Sequence, residues 1–121
     1  DVMRSEDAIP RVTPQTTLSQ ALLEISNKGL GMTTVSGSDG ILSGIFTDGD
    51  LRRALDARVD INATPMEQIM TTGVKTAERE MLAAEAMRIM EENEISSLVV
   101  LENGKIIGVL HLIDLLHVGI A

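Results

Sequence analysis

The 121 residues carry a net charge of −8 and no cysteine, and Phe46 is the single aromatic residue. The ten basic residues are scattered, without the basic stripe and stacking aromatics of nucleic-acid-binding proteins. Disulfides and thiolate sites are excluded, and no run approaches the ~20 apolar residues that cross a bilayer. We therefore expect a cytoplasmic protein that binds neither nucleic acid nor membrane.

The first half of the chain predicts strand, helix, strand, strand and helix, in that order. Thr16 or Thr17 caps the first helix and Gly29 ends it, and the apolar face repeats at i, i+3, i+4 and i+7: Leu18, Ala21, Leu22, Ile25. Two β-rich runs, 32–36 and 41–46, flank the turn-forming residues 36–40. A second helix is predicted from Thr47 to about Arg58.

The second half repeats this order after a linker at 59–64 and a short helix that begins at Pro65. One helix is predicted by an apolar stripe: Ala83, Ala86, Met87, Met90. Strands are predicted at 98–101 and 105–110, on either side of Asn103-Gly104, a strong hairpin signal. A helix over 112–118 closes the chain.

The chain is therefore an internal duplication. The segment Gly44-Ile-Phe-Thr-Asp-Gly-Asp-Leu51 returns as Gly108-Val-Leu-His-Leu-Ile-Asp-Leu115, and Asp1-Val-Met returns as Gln68-Ile-Met. We expect an α/β fold of two βαββα units, 1–61 and 62–121, related by a pseudo-two-fold axis, each with a small sheet and two helices facing the other unit. Two related clefts are expected between them. Because the chain starts within a repeat, we expect it to be a fragment of a longer polypeptide.

The residues with the strongest chemical interest are Thr47 and Asp50, with His111 and Asp114 as their counterparts. Each pair lies where a strand is followed by a helix, a place where free N–H groups and a hydroxyl can bind an anion and a carboxylate can accept from a sugar diol. Thr-x-x-Asp is also close to a capping box, and the motif alone favours that structural role. His111 replaces the hydroxyl of Thr47 by an imidazole, so the two clefts are expected to be inequivalent.

Further candidates surround these positions. Arg53 and Arg52 can neutralise an anion beside the acidic residues of the second helix, although at least one of them must lie on the solvated face. Hydroxyls can line the cleft from the entering strands and the next strand: Thr13, Thr76, Thr33, Thr34. Lys75 and Phe46 complete the predicted set. Two histidines without cysteine or a phosphate-binding loop form no catalytic set or metal site, so we expect no catalytic residue, metal or cofactor in this chain.

The duplicated unit, ending in Gly-h-h-Thr-x-x-Asp-Leu with h apolar, resembles a tandem pair of cystathionine β-synthase (CBS) domains, the Bateman module. More narrowly, Lys28-Gly-Leu-Gly-Met-Thr33, Gly44-Ile-Phe-Thr-Asp-Gly-Asp-Leu-Arg-Arg53 and residues 108–121 are similar to the C-terminal part of bacterial D-arabinose 5-phosphate isomerases. That resemblance implies an upstream catalytic domain that interconverts ribulose 5-phosphate and arabinose 5-phosphate for 3-deoxy-D-manno-octulosonate (Kdo), lipopolysaccharide or capsule synthesis.

The resemblance also implies a ligand. CBS pairs commonly bind adenosine nucleotides through the Thr and Asp of the terminal motif; Thr47, Asp50 and Asp114 match that pattern and His111 departs from it. An activated end product such as CMP-Kdo is a second candidate, with Asp50 on the ribose diol and Thr47, His111 and an arginine on the anionic groups. The chain is thus expected to be a ligand-sensing regulatory module that forms homodimers. A purely structural dimerisation module and an autonomous catalyst are the alternatives.

Overall fold

The computed structural model describes residues 3–81 and 83–117 of the chain. Its elements, in chain order, are β1 (Arg11–Val12), α1 (Leu18–Lys28), β2 (Met32–Ser36), β3 (Leu42–Thr47), α2 (Asp48–Asp56), β4 (Thr76–Glu78), α3 (Ala83–Asn93), β5 (Ser97–Glu102), β6 (Lys105–His111) and α4 (Leu112–His117). Two short 3-10 turns, Glu6–Ala8 and Met66–Gln68, precede β1 and β4. The predicted α/β class with two βαββα repeats is confirmed.

Each repeat contributes one three-stranded sheet, in the orders β1-β2-β3 and β4-β5-β6. The first two strands of each sheet are parallel and the last two antiparallel. Parallel strands need a crossover connection, which α1 and α3 supply, whereas antiparallel strands need only a tight turn. The turn at Asn103 and Gly104 has positive φ at both residues, as an Asn-Gly hairpin requires.

The unit Pro10–Val74 has its own core. Thr17 and Gln20 form a capping box at the start of α1, and Gly29 ends the helix in the left-handed region, as predicted. The buried residues of this core are aliphatic apart from one aromatic ring and one thioether: Val12, Leu18, Ala21, Val35, Phe46, Ala54, Met66. Phe46, predicted as a ligand contact, is instead a fully buried core residue, because its position on β3 faces α1 and α2.

The other unit combines the segment that ends at Ile9 with the chain from Lys75 onwards. Its core is built on the apolar stripe of α3, one face of β4, β5 and β6, and one residue of α4: Ala77, Ala86, Met87, Met90, Leu98, Val100, Leu110, Leu115. The stripe predicted from the sequence supplies three of these buried residues, which confirms the helical periodicity.

The compact units therefore differ from the sequence repeats 1–61 and 62–121. Arg4, near the start of the first repeat, pairs through its backbone with Val109 of the second, while Thr71 of the second repeat pairs with Ile45 of the first. Glycine permits both approaches. A Cβ on Gly44 would lie 2.6 Å from the Thr71 carbonyl oxygen, and one on Gly108 would lie 2.9 Å from the Arg4 carbonyl oxygen. Each unit thus contains a strand-like segment contributed by the start of the other sequence repeat.

Element boundaries follow the predictions to within two residues, and Val118, predicted to end α4, lies outside the described residues. β3 includes Thr47, one residue beyond the predicted end, and α2 stops at Asp56 rather than near Arg58. The earlier stop coincides with Arg58, whose positive φ of 58° is incompatible with continuing the helix. None of the described helices has the length and apolar character that crossing a membrane demands.

Candidate functional site

The junction between β3 and α2 is organised around the carboxylate of Asp50. Thr47 caps α2 and forms a capping box with Asp50: the Thr47 N–H donates to Asp50 Oδ2 over 2.9 Å. The Thr47 hydroxyl lies 3.2 Å from the same oxygen. The other oxygen, Oδ1, accepts from the Arg53 guanidinium and from the Thr71 hydroxyl. The predicted capping role of Thr47 and Asp50 is therefore present in the structure.

This carboxylate has no acceptor capacity left. Asp50 is 2% exposed, and a carboxylate offers about four lone-pair positions, which Thr47, Arg53 and Thr71 fill with four donors. A buried charge is tolerated when it is paired and hydrogen-bonded in this way. A sugar diol can reach Asp50 only if one of these donors leaves. The side chain of Arg53, 70% exposed, is the one with room to move.

The equivalent junction between β6 and α4 is organised around Asp114 and differs in its partners. Arg4 makes a bidentate pair with it, Nε to Oδ2 at 2.9 Å and Nη2 to Oδ1 at 3.0 Å. These hydrogen bonds hold the pKa of Asp114 below its ordinary value, although desolvation acts to raise it. His111 and His117 also lower the pKa of Asp114. The same pair raises the pKa of Arg4. Asp114 keeps 20% of its side chain exposed.

His111 replaces the hydroxyl cap of the first junction with a ring nitrogen. The Ile113 N–H donates to His111 Nδ1 over 3.2 Å. A nitrogen that accepts a hydrogen bond carries no proton, so the neutral ring carries its proton on Nε2. His111 is the last residue of β6, and Asp114 and His117 follow it on α4 at intervals of three residues.

The other predicted positions lie away from both carboxylates or serve the fold. The hydroxyls of Thr33 and Thr34 are fully buried and donate to backbone carbonyls, that of Thr34 to Pro10 over 2.7 Å. Thr13 comes directly after β1 rather than lying in it, and its hydroxyl lies 3.0 Å from that of Thr16. The remaining three lie on the surface or at a strand edge: Arg52, Lys75, Thr76. Among residues 3–81 and 83–117, no three His, Asp or Glu side chains are grouped to hold a metal ion.

Sequence reasoning missed Arg4 and Thr71, which occupy equivalent places in the two repeats and bind the two carboxylates. The signal that could have identified them is the repetition of Val2-Met3 as Ile69-Met70, because Arg4 and Thr71 come directly after these methionines. The two arginines stand at different positions of the repeat: Arg53 of the first junction corresponds to His117, and Arg4 of the second corresponds to Thr71. Each carboxylate therefore has one guanidinium partner, but the arginine that supplies it stands at a different position in each repeat.

Comparison with known protein families identifies the class. The CBS domain family model matches residues 1–57 and 66–120. The chain therefore belongs to the CBS domain family and contains a pair of these domains.

Individual relatives of the chain are more informative than the family model. The chain is similar to the arabinose 5-phosphate isomerase KdsD of Pseudomonas aeruginosa, at 48% identity over 99% of this chain, and to that of Escherichia coli K12, at 40% identity over 99%. In both cases it spans 37% of the relative's length. The resemblance to the C-terminal part of these isomerases is thus confirmed at the level of sequence.

Solved structures share the fold. A conserved protein from Pyrococcus horikoshii is 30% identical, with a TM-score of 0.82 over 94% of this chain and 86% of that one. A CBS domain protein from Pyrobaculum aerophilum, complexed with AMP, is 21% identical, with a TM-score of 0.81 over 91% of this chain and 85% of that one. At 21% identity the second likeness is evidence for the fold alone.

Proposed function

We propose that this chain is the ligand-sensing regulatory module of a longer protein with D-arabinose 5-phosphate isomerase activity. The observation that carries the proposal is the 48% identity to an isomerase of which the chain matches 37% of the length, in a segment made of CBS domains. The interconversion of ribulose 5-phosphate and arabinose 5-phosphate then belongs to the part of the protein that this chain does not include. The module itself adjusts that activity.

The proposed ligand is a nucleotide or nucleotide-sugar such as CMP-Kdo. Such a ligand combines a vicinal diol, which donates, with phosphate and carboxylate groups, which accept. Both junctions place a guanidinium beside a carboxylate, Arg53 at Asp50 and Arg4 at Asp114, and a diol reaches Asp50 only when one of its donors leaves. The AMP complex of the Pyrobaculum aerophilum CBS protein supports nucleotide binding by the fold. Regulation requires that the ligand binds one conformation of the module more tightly than another.

Calorimetric titration of the chain with CMP-Kdo, AMP, ATP and S-adenosylmethionine tests the ligand. We expect binding of CMP-Kdo, and weaker or no binding of the adenine compounds, because Phe46, the single Phe, Tyr or Trp residue of the chain, is fully buried and offers no stacking surface to a purine. Clear binding of an adenylate together with silence toward CMP-Kdo would overturn the choice of ligand while keeping the regulatory role. Silence toward all four would overturn that role.

A structural homodimerisation module is the second candidate function. Two apolar side chains on α4 favour it, since Ile113 and Leu116 are spaced i, i+3 and are 47% and 49% exposed. Sedimentation of the wild type and of Leu116→Asp tests it, with Leu23→Asp on α1 as the control for a charge placed at an exposed leucine. A dimer lost only in Leu116→Asp, with no nucleotide binding in any variant, would favour this candidate.

A further inference from the structure

Methionine carries all the sulfur chemistry of this chain, which has seven methionines and no cysteine. Four of the methionines are buried, with at most 7% of the residue exposed: Met32, Met66, Met87, Met90. The other three are half-buried: Met3, Met70, Met81. Because a thioether is oxidised only where an oxidant can reach it, these three are the sulfurs that a small oxidant in solution meets first in the folded protein.

Two of the half-buried methionines occupy equivalent places in the two repeats. The Met70 sulfur lies 3.0 Å from the place where a Cβ on Gly44 would be, and the Met3 sulfur lies 2.5 Å from the place where a Cβ on Gly108 would be. Each thioether therefore fills the space that a side chain on β3 or β6 would otherwise occupy. Each one also packs against the hydrophobic core of its own unit.

The contact of Met70 with Gly44 holds the segment that supplies a donor to Asp50. Directly after Met70, Thr71 exchanges two backbone hydrogen bonds with Ile45, each of 2.9 Å. The Thr71 hydroxyl also donates to Asp50 Oδ1. Because these bonds fix the backbone on one side of the methionine, its side chain cannot withdraw from Gly44 without straining or breaking them.

Oxidation places a polar oxygen at this contact. Hydrogen peroxide transfers one oxygen atom to the Met70 sulfur: the S–O bond forms as the O–O bond breaks, the sulfur loses two electrons, and the peroxide is reduced to water. A sulfoxide that stays in place buries a polar group against the core, which costs free energy unless a donor is available. A sulfoxide that turns towards solvent leaves the space beside Gly44 unfilled. Both arrangements weaken the contact.

We propose that Met70 and Met3 are sites of reversible oxidation by peroxide, and that each sulfoxide releases the segment that its methionine holds. At Met70 the release takes the Thr71 hydroxyl away from Asp50. At Met3 it loosens the pairing of Arg4 with β6. Methionine sulfoxide reductases reverse the reaction, so the pair forms a redox switch. This switch responds to an oxidant and not to a nucleotide, and it therefore goes beyond the proposed ligand-sensing function.

Peroxide treatment of the folded chain, followed by peptide mass mapping, tests the site. Trypsin cuts after Arg58 and Lys75, so a single peptide carries both Met70 and the fully buried Met66. Fragment-ion spectra then compare the two sulfurs within one molecule. We expect Met70 to be oxidised about tenfold faster than Met66 in the folded chain, and the two to be oxidised at equal rates in urea. Equal rates in the folded chain would overturn the site.

Thermal melting before and after peroxide treatment tests the consequence. Leucine keeps the apolar bulk of methionine but cannot form a sulfoxide, so the double variant Met3→Leu/Met70→Leu is the test. Met81→Leu is the matched control, because Met81 is half-buried and packs against the same core as Met3. Peroxide should lower the melting temperature of the wild type and of the control by about 5–10 °C, and that of the double variant by less than half as much. An equal loss in the double variant would contradict the proposal.

Two further measurements test the release and its reversal. Met70→Gln places a polar side chain beside Gly44 without any oxidant, and amide hydrogen exchange at Thr71 should become about tenfold faster in this variant and in the oxidised wild type. Unchanged protection of the Thr71 amide in both would show that the segment stays bound and would overturn the release. Treatment of the oxidised wild type with reductases for both sulfoxide epimers should restore its melting temperature. A melting temperature that stays low after the sulfoxides are reduced would identify irreversible damage and overturn the switch.

Discussion

The Asp50 and Asp114 junctions are equivalent parts of the two repeats, and they differ in the hydrogen-bond partners of their carboxylates. Both come after the last strand of a sheet, both pair with a guanidinium, and both lie beside a glycine that admits a neighbouring backbone segment. Asp50 is 2% exposed and accepts from three residues, whereas Asp114 accepts two hydrogen bonds from one arginine and keeps 20% of its side chain exposed. The two repeats thus hold equivalent carboxylates in different ways, one enclosed by donors and the other in a partly exposed ion pair.

The largest predicted difference is in stability. Asp50→Asn keeps the shape of the side chain but presents an NH₂ group to donors, so we expect a loss of about 2–3 kcal/mol in the free energy of unfolding. Asp114→Asn should cost less than about 1 kcal/mol, because its ion pair is partly exposed. Urea unfolding of both variants measures the difference. Equal losses would mean that the two carboxylates have the same structural role.

The second prediction concerns the glycine beside the Asp50 junction. Gly44→Ala should cost about 1–3 kcal/mol, because the new Cβ meets the Thr71 carbonyl oxygen at 2.6 Å and forces the segment away. Gly37→Ala is the matched control, with its nearest contact at 3.5 Å. Thermal unfolding compares the two. A Gly44→Ala variant as stable as Gly37→Ala would show that the contact of Ile45 with Thr71 contributes little.

A smaller effect is expected from the hydroxyl that completes the cap. Thr71→Val removes the donor to Asp50 Oδ1 and should cost about 1 kcal/mol, the usual value for a hydrogen bond with an exposed partner. Exposed Thr72 provides the control, and Thr72→Val should be neutral. Chemical denaturation of the two single variants resolves the difference. If both variants were as stable as the wild type, the description of Asp50 as an acceptor with four donors would be incorrect.

The smallest effect is a dependence on pH at the other junction. The Arg4 pair lowers the pKa of Asp114, so the folded state binds a proton there less readily than the unfolded chain. The stabilisation is therefore present above the unfolded pKa of about 4 and is lost as the pH falls through the folded value. In Arg4→Leu, Asp114 should protonate at a higher pH, which carboxyl NMR titration can measure. An unchanged titration of Asp114 would contradict the ion pair.

The sequence patterns were sufficient for the local structure. Periodicity and caps placed α1 from Thr17 to Gly29, and Asn103-Gly104 placed the second hairpin, because these signals act within a few residues. The Thr47 capping box was likewise visible in the motif. The replacement of Thr47 by His111 was also visible in the motif, and in the structure His111 accepts from the Ile113 N–H through a ring nitrogen. A role of His111 in ligand binding stays a prediction.

Local sequence patterns could not predict the contacts that define each junction. Arg4 lies 110 residues from Asp114, and Thr71 lies 21 residues from Asp50. Which segment docks beside which carboxylate is decided by tertiary packing against Gly44 and Gly108, and a local motif carries no information on that choice. The burial of Phe46 was missed for the same reason.

The most direct test of the difference between the junctions is a crystal structure of the chain grown with cytidine 5′-monophosphate. Because Asp50 is enclosed and Asp114 is partly exposed, we expect phosphate density at the Asp114 junction, with the Asp50 cap and its bond to Thr71 unchanged. Density against Asp50, with Arg53 swung away and the Asp114 junction empty, would contradict it.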